Sequence, residues 1–303
     1  MRCREQRLSL HGARAAARAA YLRRPAVKRF FDRGCAPRKA VVTNLTYTTI
    51  LVDITDGIAS ITLNRPERLN CFNRSMVLEF RDLWTRLRTD PTVRVLVLRA
   101  APGRAFCSGV DVKEGWRAPN EDLMPFDQQD PGESLGPKSN HVWKPLIVAV
   151  HGMAAGGAFY WLNEADIVIC SEDATFFDPH LKFGKISAVE PIGALGRIPL
   201  QEITRMVLLA DTERIGAATA LRISLVTEVT SPEQLWPRAQ ELAAQIAQRH
   251  PVAVQGSIRA IWEAQSLPRA QAVSNALRYI QVGKPLATEL SPTDLKSKGF
   301  TVR

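Results

Sequence analysis

No apolar run among the 303 residues approaches the ~18 that a membrane-spanning helix needs, so no membrane span is expected. Cysteine is scarce. The five thiols (Cys3, Cys35, Cys71, Cys107 and Cys170) are odd in number and show no metal-ligand spacing. That pattern fits neither a disulfide framework nor a structural metal site, and it reads as reduced thiols in a cytoplasmic protein. Internal repeats are lacking too, which removes solenoid and propeller architectures. What remains, at 46% hydrophobic residues, is enough to bury the core of one large α/β domain or of a domain with an appendage.

Acidic residues are nearly missing from the first 40 positions. Ten Arg and two Lys stand there against Glu5 and Asp32, which accounts for the whole net charge of +10. The remaining 263 residues hold 28 basic and 28 acidic side chains. A nucleic-acid partner is therefore not expected of the chain beyond the tail. The Arg- and Ala-rich tail itself has three readings: an organellar transit peptide, a basic arm for RNA or an acidic lipid surface, or residues upstream of a natural start near Val41 or Val42. The location follows from the choice: mitochondrial for a transit peptide, cytoplasmic otherwise.

The most informative stretch is 143–180, WKPLIVAVHGMAAGGAFYWLNEADIVICSEDATFFDPH. Leu146 to Val150 is a fully apolar run, suited to a strand buried on both faces. HGMAAGG turns the chain into a short helix, Ala158 to Ala165, and Asp166 to Ser171 returns as a second buried strand. Gly152, Gly156 and Gly157 leave room where the helix begins, and the first N–H groups of a helix have no internal partner. Such a place can hold an oxygen that becomes negative during a reaction. The spacing G-x-x-x-G-G is not that of a dinucleotide site, and no Gly-Lys-Ser/Thr follows to make a P-loop. Upstream, the strand Val93 to Leu98 leads into a second glycine turn, APGRAFCSGVDVKE at 101–114. Two glycine-turned strand ends can supply two N–H donors.

With LNRPERLN (63–70), AFCSGVDVKE (105–114), KPLIVAVHGMAAGGAF (144–159) and ADIVICSEDATFFDP (165–179), the chain resembles the crotonase (enoyl-CoA hydratase/isomerase) family over roughly residues 48–285. The resemblance implies an α/β fold, a crotonase-type ββα spiral with a helical C-terminal region. The expected division is a basic tail outside the fold (1–41), a crotonase core (42–250) and a C-terminal helical region (251–303). A homotrimer or a dimer of trimers is implied as well.

Local signals agree with that spiral. Asp56-Gly57 joins two β-rich runs, Thr49 to Thr55 and Ile58 to Leu63, as a hairpin. Asn73 stands ready to cap a helix whose Met76, Phe80, Leu83, Trp84 and Leu87 form one apolar face, stopped at Asp90-Pro91. Residues 115–140 have no periodicity and read as a long loop beside the acyl pocket or a mobile surface insert. Helices are expected over Gln201 to Ala210, Glu213 to Leu221, from Ser231 with capping-box spacing and a disturbance at Pro237, and over about 252–265 and 268–282.

Carried over position by position, the resemblance makes Val110 and Gly157 the oxyanion-hole donors for a thioester oxygen. It implies CoA or substrate contacts at Arg68, Ser108, Asp111 and Lys113. Coenzyme A enters as part of the substrate, and neither a separate cofactor nor a metal is expected. The two glutamates of the family's hydratases do not carry over: Tyr160 and His180 stand at those positions. A phenol (pKa ~10) is a poor base but a possible hydrogen-bond donor, and an imidazole (~6.5) acts either way near neutrality. Glu164, one helical turn after Tyr160, and Glu190, in SAVEPIG, are substitute carboxylates. Asp178 lies two residues before His180 and can orient it if the segment is extended. The candidate catalytic set is thus His180, Glu190, Tyr160 and Glu164. The implied function is an acyl-CoA thioester enzyme of the enoyl-CoA hydratase/isomerase type, acting through an enolate-like intermediate. The alternatives are an acyl-CoA hydrolase, including C–C cleavage, and a non-catalytic CoA-ester binding protein.

Overall fold

The computed structural model describes residues 46–116, 129–287 and 299–302, all within the unit Val41–Arg303. The basic tail, 1–41, lies outside the described residues. The chain starts with the hairpin that Asp56-Gly57 predicts. Strands β1 (Ile50–Thr55) and β2 (Ile58–Leu63) pair antiparallel, with Thr55 opposite Ile58. The two turn residues take φ of 52° and 79°, the pair of positive values that matches the twist of the flanking strands.

Helix α1 (Arg74–Thr89) follows, capped by Asn73, whose side chain accepts from the Met76 N–H at 3.1 Å. Its apolar face, Met76, Phe80, Leu83, Trp84 and Leu87, is buried throughout. Three similar passes then build two sheets. Each pass lays one strand in a large sheet and a short strand in a small one: β3 (Val95–Ala100) with β4 (Ala105–Cys107), β5 (Leu146–Val150) with β6 (Met153–Ala155), and β7 (Ile167–Ser171) with β8 (Thr175–Phe177). The large sheet is ordered β1-β2-β3-β5-β7-β10, parallel from β2 onward, with β10 (Glu228–Thr230) at the far edge. The small sheet is ordered β4-β6-β8-β9, its last strand (Ile215–Gly216) antiparallel.

The uniformly apolar strands are explained by burial on two sides. Val95, Val97, Ile147, Ala149 and Ile169 pack under helix α7 (Pro232–Ala247), which offers Leu235, Ala239, Ala243 and Ala247. Their alternating neighbours Leu96, Leu98, Leu146, Val148 and Val150 face α1 and the rest of the core. The alanine row lets α7 approach the sheet closely. Pro237 falls inside the helix, which continues through it, and no side-chain bond from Ser231 closes the expected capping box.

Other expectations change. Glu213 to Leu221 is not one helix: Ile215 pairs with Phe176 as β9, and α6 (Ala217–Arg222) starts after it. Of the 115–140 stretch, 117–128 lies outside the described residues, while Gly132–Leu135 forms the short helix α2, whose Leu135 carbonyl accepts from the Trp84 indole at 3.1 Å. The segment after His180 also carries a helix, α4 (Val189–Ala194). Helix α5 (Leu200–Leu209) follows it, and α8 (Pro251–Ala264) and α9 (Arg269–Ala287) make the helical C-terminal region.

Candidate active site

The two glycine turns meet at the ends of the small-sheet strands. Gly109, at the end of β4, has φ +91°, a conformation that side chains disfavour. A Cβ there would lie 3.2 Å from the Ala155 carbonyl and 3.3 Å from the Gly157 nitrogen, so the turns touch backbone to backbone. Phe72 forms an isolated parallel bridge with Val110. Its N–H donates to the Gly109 carbonyl (2.9 Å), and its carbonyl accepts from the Asp111 N–H (2.7 Å). In a parallel bridge these flanking residues carry the bonds, so the N–H of Val110 itself is turned away from Phe72. On the other turn, Gly157 is the second residue of a 3-10 turn (Gly156–Ala158) that runs into α3 (Phe159–Glu164). Its N–H is one of those with no partner inside the helix. A Cβ on Gly157 would come within 2.5 Å of the Phe72 ring, so no side chain fits without displacing it.

Beside this turn stands a line of ionisable groups from four elements. His180 opens a 3-10 turn (His180–Phe183) after β8, and its Cε1 lies 3.7 Å from where a Gly156 Cβ would be. The ring Nδ1 is 2.6 Å from Asp178 Oδ1, and Nε2 is 3.6 Å from Glu190 Oε1. Glu190 lies in the first turn of α4 and is only 4% exposed. The Tyr160 hydroxyl, on α3, donates to Asp130 Oδ2 at 3.1 Å and interacts with Glu190 as well. Asn163, also on α3, donates to the Glu190 carbonyl at 2.8 Å and so fixes α4 against α3.

These neighbours reset the acidities. Burial holds the Glu190 carboxyl above the usual carboxylate range. The hydrogen bond to Asp178 raises His180 above an ordinary imidazole. Burial works to raise Asp178, but hydrogen bonds from His180 and Ser187 outweigh it and leave Asp178 low. Tyr160 is pushed far up by burial and by Glu190 and Asp130, so it is a donor and not a base. The arrangement sets the Gly109 turn against the Gly157 turn, with an imidazole and a carboxyl, each raised above its ordinary value, beside the second. It can polarise a carbonyl and move protons near it.

The profile of the enoyl-CoA hydratase/isomerase family matches residues 53–285. The chain belongs to this family. An (E)-benzylidenesuccinyl-CoA hydratase of Thauera aromatica is 32% identical over 219 residues, 72% of this chain and 84% of the relative. A carnitinyl-CoA dehydratase of Escherichia coli K12 is 32% identical over 229 residues, covering 75% and 84%. Among solved structures, an enoyl-CoA hydratase/isomerase from Mycobacterium paratuberculosis superposes with a TM-score of 0.73 at 33% identity, covering 78% of this chain and 90% of that one. The crotonase fold and a CoA-thioester enzyme class follow from these likenesses.

As a member of the enoyl-CoA hydratase/isomerase family, the chain brings Tyr160, His180 and Glu190 together, but not Glu164. That carboxylate accepts from the backbone N–H groups of Lys138 and Ser139 and from the Ser139 hydroxyl. It ties down the 136–139 turn and shares no hydrogen bond or ion pair with His180 or Glu190 among the described residues. Asp111 is likewise no free ligand. It is 4% exposed, pairs with Arg65 at 3.1 Å and accepts from the Lys113 and Glu114 N–H groups. Of the other predicted contacts, Lys113 is exposed, Arg68 is exposed and 3.9 Å from Glu114 Oε1, and Ser108 is half-buried with its N–H on the Leu69 carbonyl. Asp130 and Ser187 were not legible as site residues. Asp130 sits in an aperiodic stretch 30 residues from its tyrosine, and Ser187 meets Asp178 only because the chain doubles back after Gly184.

Proposed function

We propose that this chain adds water to, or removes it from, an acyl-CoA thioester across Cα and Cβ. The observation that carries the reading is the His180–Glu190 pair, 3.6 Å apart beside the Gly156–Gly157 turn. Two proton-transfer groups are what hydration needs, whereas moving a double bond can be done with one. The relatives named above are a hydratase and a dehydratase, which supports the same direction.

In this reading the thioester oxygen lies between the Val110 and Gly157 N–H groups. Glu190, as carboxylate, takes a proton from water while the water oxygen bonds to Cβ. The π electrons of the double bond move through Cα to the thioester oxygen, and the two N–H groups hold that enolate. The imidazolium Nε2–H of His180 then protonates Cα, and Glu190 returns its proton to His180. One water is added to each enoyl thioester, and both side chains end as they began. Tyr160 keeps its one proton on Asp130 and transfers none. Arg68, Ser108 and Lys113 contact the CoA moiety in this reading. The subunits assemble as a trimer or a dimer of trimers in the cytoplasm. The assembly is supported by the apolar side chains that α8 and α9 leave exposed, Ile261, Val273, Leu277 and Ile280.

The test uses crotonyl-CoA, 3-methylcrotonyl-CoA and cinnamoyl-CoA as probes and follows loss of the enoyl thioester absorbance at neutral pH. Turnover of at least one probe is expected. Tight binding of all three with no turnover would favour a CoA-ester binding protein and overturn the reading.

A further inference from the structure

We propose that Asp178 is a positioning residue that locks His180 in one tautomer, Nδ1–H toward Asp178 and Nε2 toward Glu190, and that Ser187 holds Asp178 in place to do so. The inference rests on the reading above, in which His180 moves a proton through Nε2. Asp178 is 1% exposed and directly follows β8, so its backbone is set by the small sheet. One carboxylate collects three donors. Oδ1 accepts both the His180 backbone N–H (2.9 Å) and the ring Nδ1 (2.6 Å), and Oδ2 accepts the Ser187 hydroxyl. The first of these bonds is an Asx turn that leads into the 3-10 turn carrying His180, so the same group fixes the imidazole's backbone and its ring.

Ser187 reaches Asp178 because the turn closes on itself. Gly184 takes φ +63°, its N–H donates to the Leu181 carbonyl, and the Lys185 N–H donates back to the His180 carbonyl. Two residues later Ser187 points back at Asp178, and three residues after that comes Glu190. The segment bearing the carboxyl is thus tied through Ser187 and Asp178 to the ring it must face. A carboxylate can only accept from Nδ1, so the neutral ring has to carry its proton there. This leaves Nε2 unprotonated in the neutral form and proton-bearing in the cation, the two states a shuttle needs at one atom. With the tautomers free to exchange, part of the population would present the wrong nitrogen to Asp178 and a fixed N–H to Glu190.

A purely structural turn predicts something different. Asparagine makes the same Asx turn as aspartate, so Asp178→Asn would then be silent. The experiment records ¹⁵N histidine spectra of the resting protein at a pH where the ring is neutral, together with kcat and KM for crotonyl-CoA. In the wild type His180 is expected as a single Nδ1–H tautomer. In Asp178→Asn both tautomers should appear, and kcat should fall about 10–10²-fold, the usual cost of losing an outer hydrogen-bond partner, with KM little changed. Ser187→Ala keeps the Asx turn and is expected to fold in any case. With one of its anchors gone Asp178 should hold the ring less well, so part of the second tautomer should appear and kcat should fall about 10-fold, at the lower end of that range. An Asp178→Asn protein with the wild-type spectrum and kcat overturns the proposal. So does an unaltered kcat in Ser187→Ala, should Asp178→Asn fail to fold. The spectrum needs no substrate, so absence of crotonyl-CoA turnover in the wild type would count against the hydration reading and leave the tautomer result to decide this one.

Discussion

His180 and Glu190 are each raised above the ordinary value by a different cause, a hydrogen bond to Asp178 for the first and burial for the second. The prediction at this scale is that His180→Ala and Glu190→Gln each lower turnover of the enoyl-CoA probes by about 10²-fold or more, the scale of a general acid or base. Tyr160→Phe should cost less, because its hydroxyl proton stays with Asp130 and is not transferred. Steady-state kcat with unchanged thioester affinity is the check. Glu164→Ala should behave in the opposite way. It strands the Lys138 and Ser139 N–H groups, so urea unfolding should show a loss of about 1–3 kcal/mol with turnover intact. The Asp178–His180 bond has a pH signature in stability. Asp178 is lowered, so its contribution is present above the unfolded carboxyl's pKa near ~3.9 and is lost as pH falls through the folded value. His180 is raised, so its contribution is full below the unfolded ~6.5 and is lost as pH rises through its folded value. The stability difference between wild type and His180→Gln should therefore be largest near pH 5 and shrink toward pH 9, and a difference that grows with pH would contradict the assignment. The sequence made His180 readable because FDPH sits at a recognisable place after a strand. It also showed Asp178 two residues away, but the bond forms through a tight turn and not through an extended segment. Asp130 left no trace, since nothing local links it to Tyr160.

Among the elements, the glycine turns matter most. Gly109→Ala would force a side chain into φ +91° and press on the Ala155 carbonyl and the Gly157 nitrogen at once. The fold should survive, as judged by circular dichroism. Activity should fall by about 10²–10³, the cost of losing one oxyanion donor. Elements with a local signature were legible: the Asp56-Gly57 hairpin, the Asn73 cap and the apolar face of α1. The short strands of the small sheet were not, because three residues carry no period of their own. Helix α4 escaped notice for a related reason. Val189 to Ala194 contains Pro191 and Gly193, and what makes the segment helical is its packing on Asn163, whose side chain bonds the Glu190 carbonyl and leaves room only for a glycine at 193. Nothing local therefore marks Glu190 as helical, and its burial is set by three-dimensional packing alone.

At the scale of the whole molecule, the family resemblance was legible because its motifs fall at the junctions of the large and small sheets, where backbone geometry restricts the residue type. The charge pattern separates a basic tail from a neutral remainder, and a chain starting at Val42 is expected to keep cooperative unfolding and bind CoA esters. The C-terminal helices leave Ile261 and Ile280 more than half exposed, so light scattering should find an oligomer, and charged substitutions at these positions should dissociate it. The central claim is water addition at Cβ by the His180–Glu190 pair, and the most direct measurement is turnover of the three enoyl-CoA probes in H₂¹⁸O followed by mass spectrometry. The account predicts one ¹⁸O on the β-carbon of an intact 3-hydroxyacyl-CoA, lost with His180→Ala. Label in a released carboxylate would show hydrolysis, and a shifted double bond without label would show isomerisation; either would contradict it.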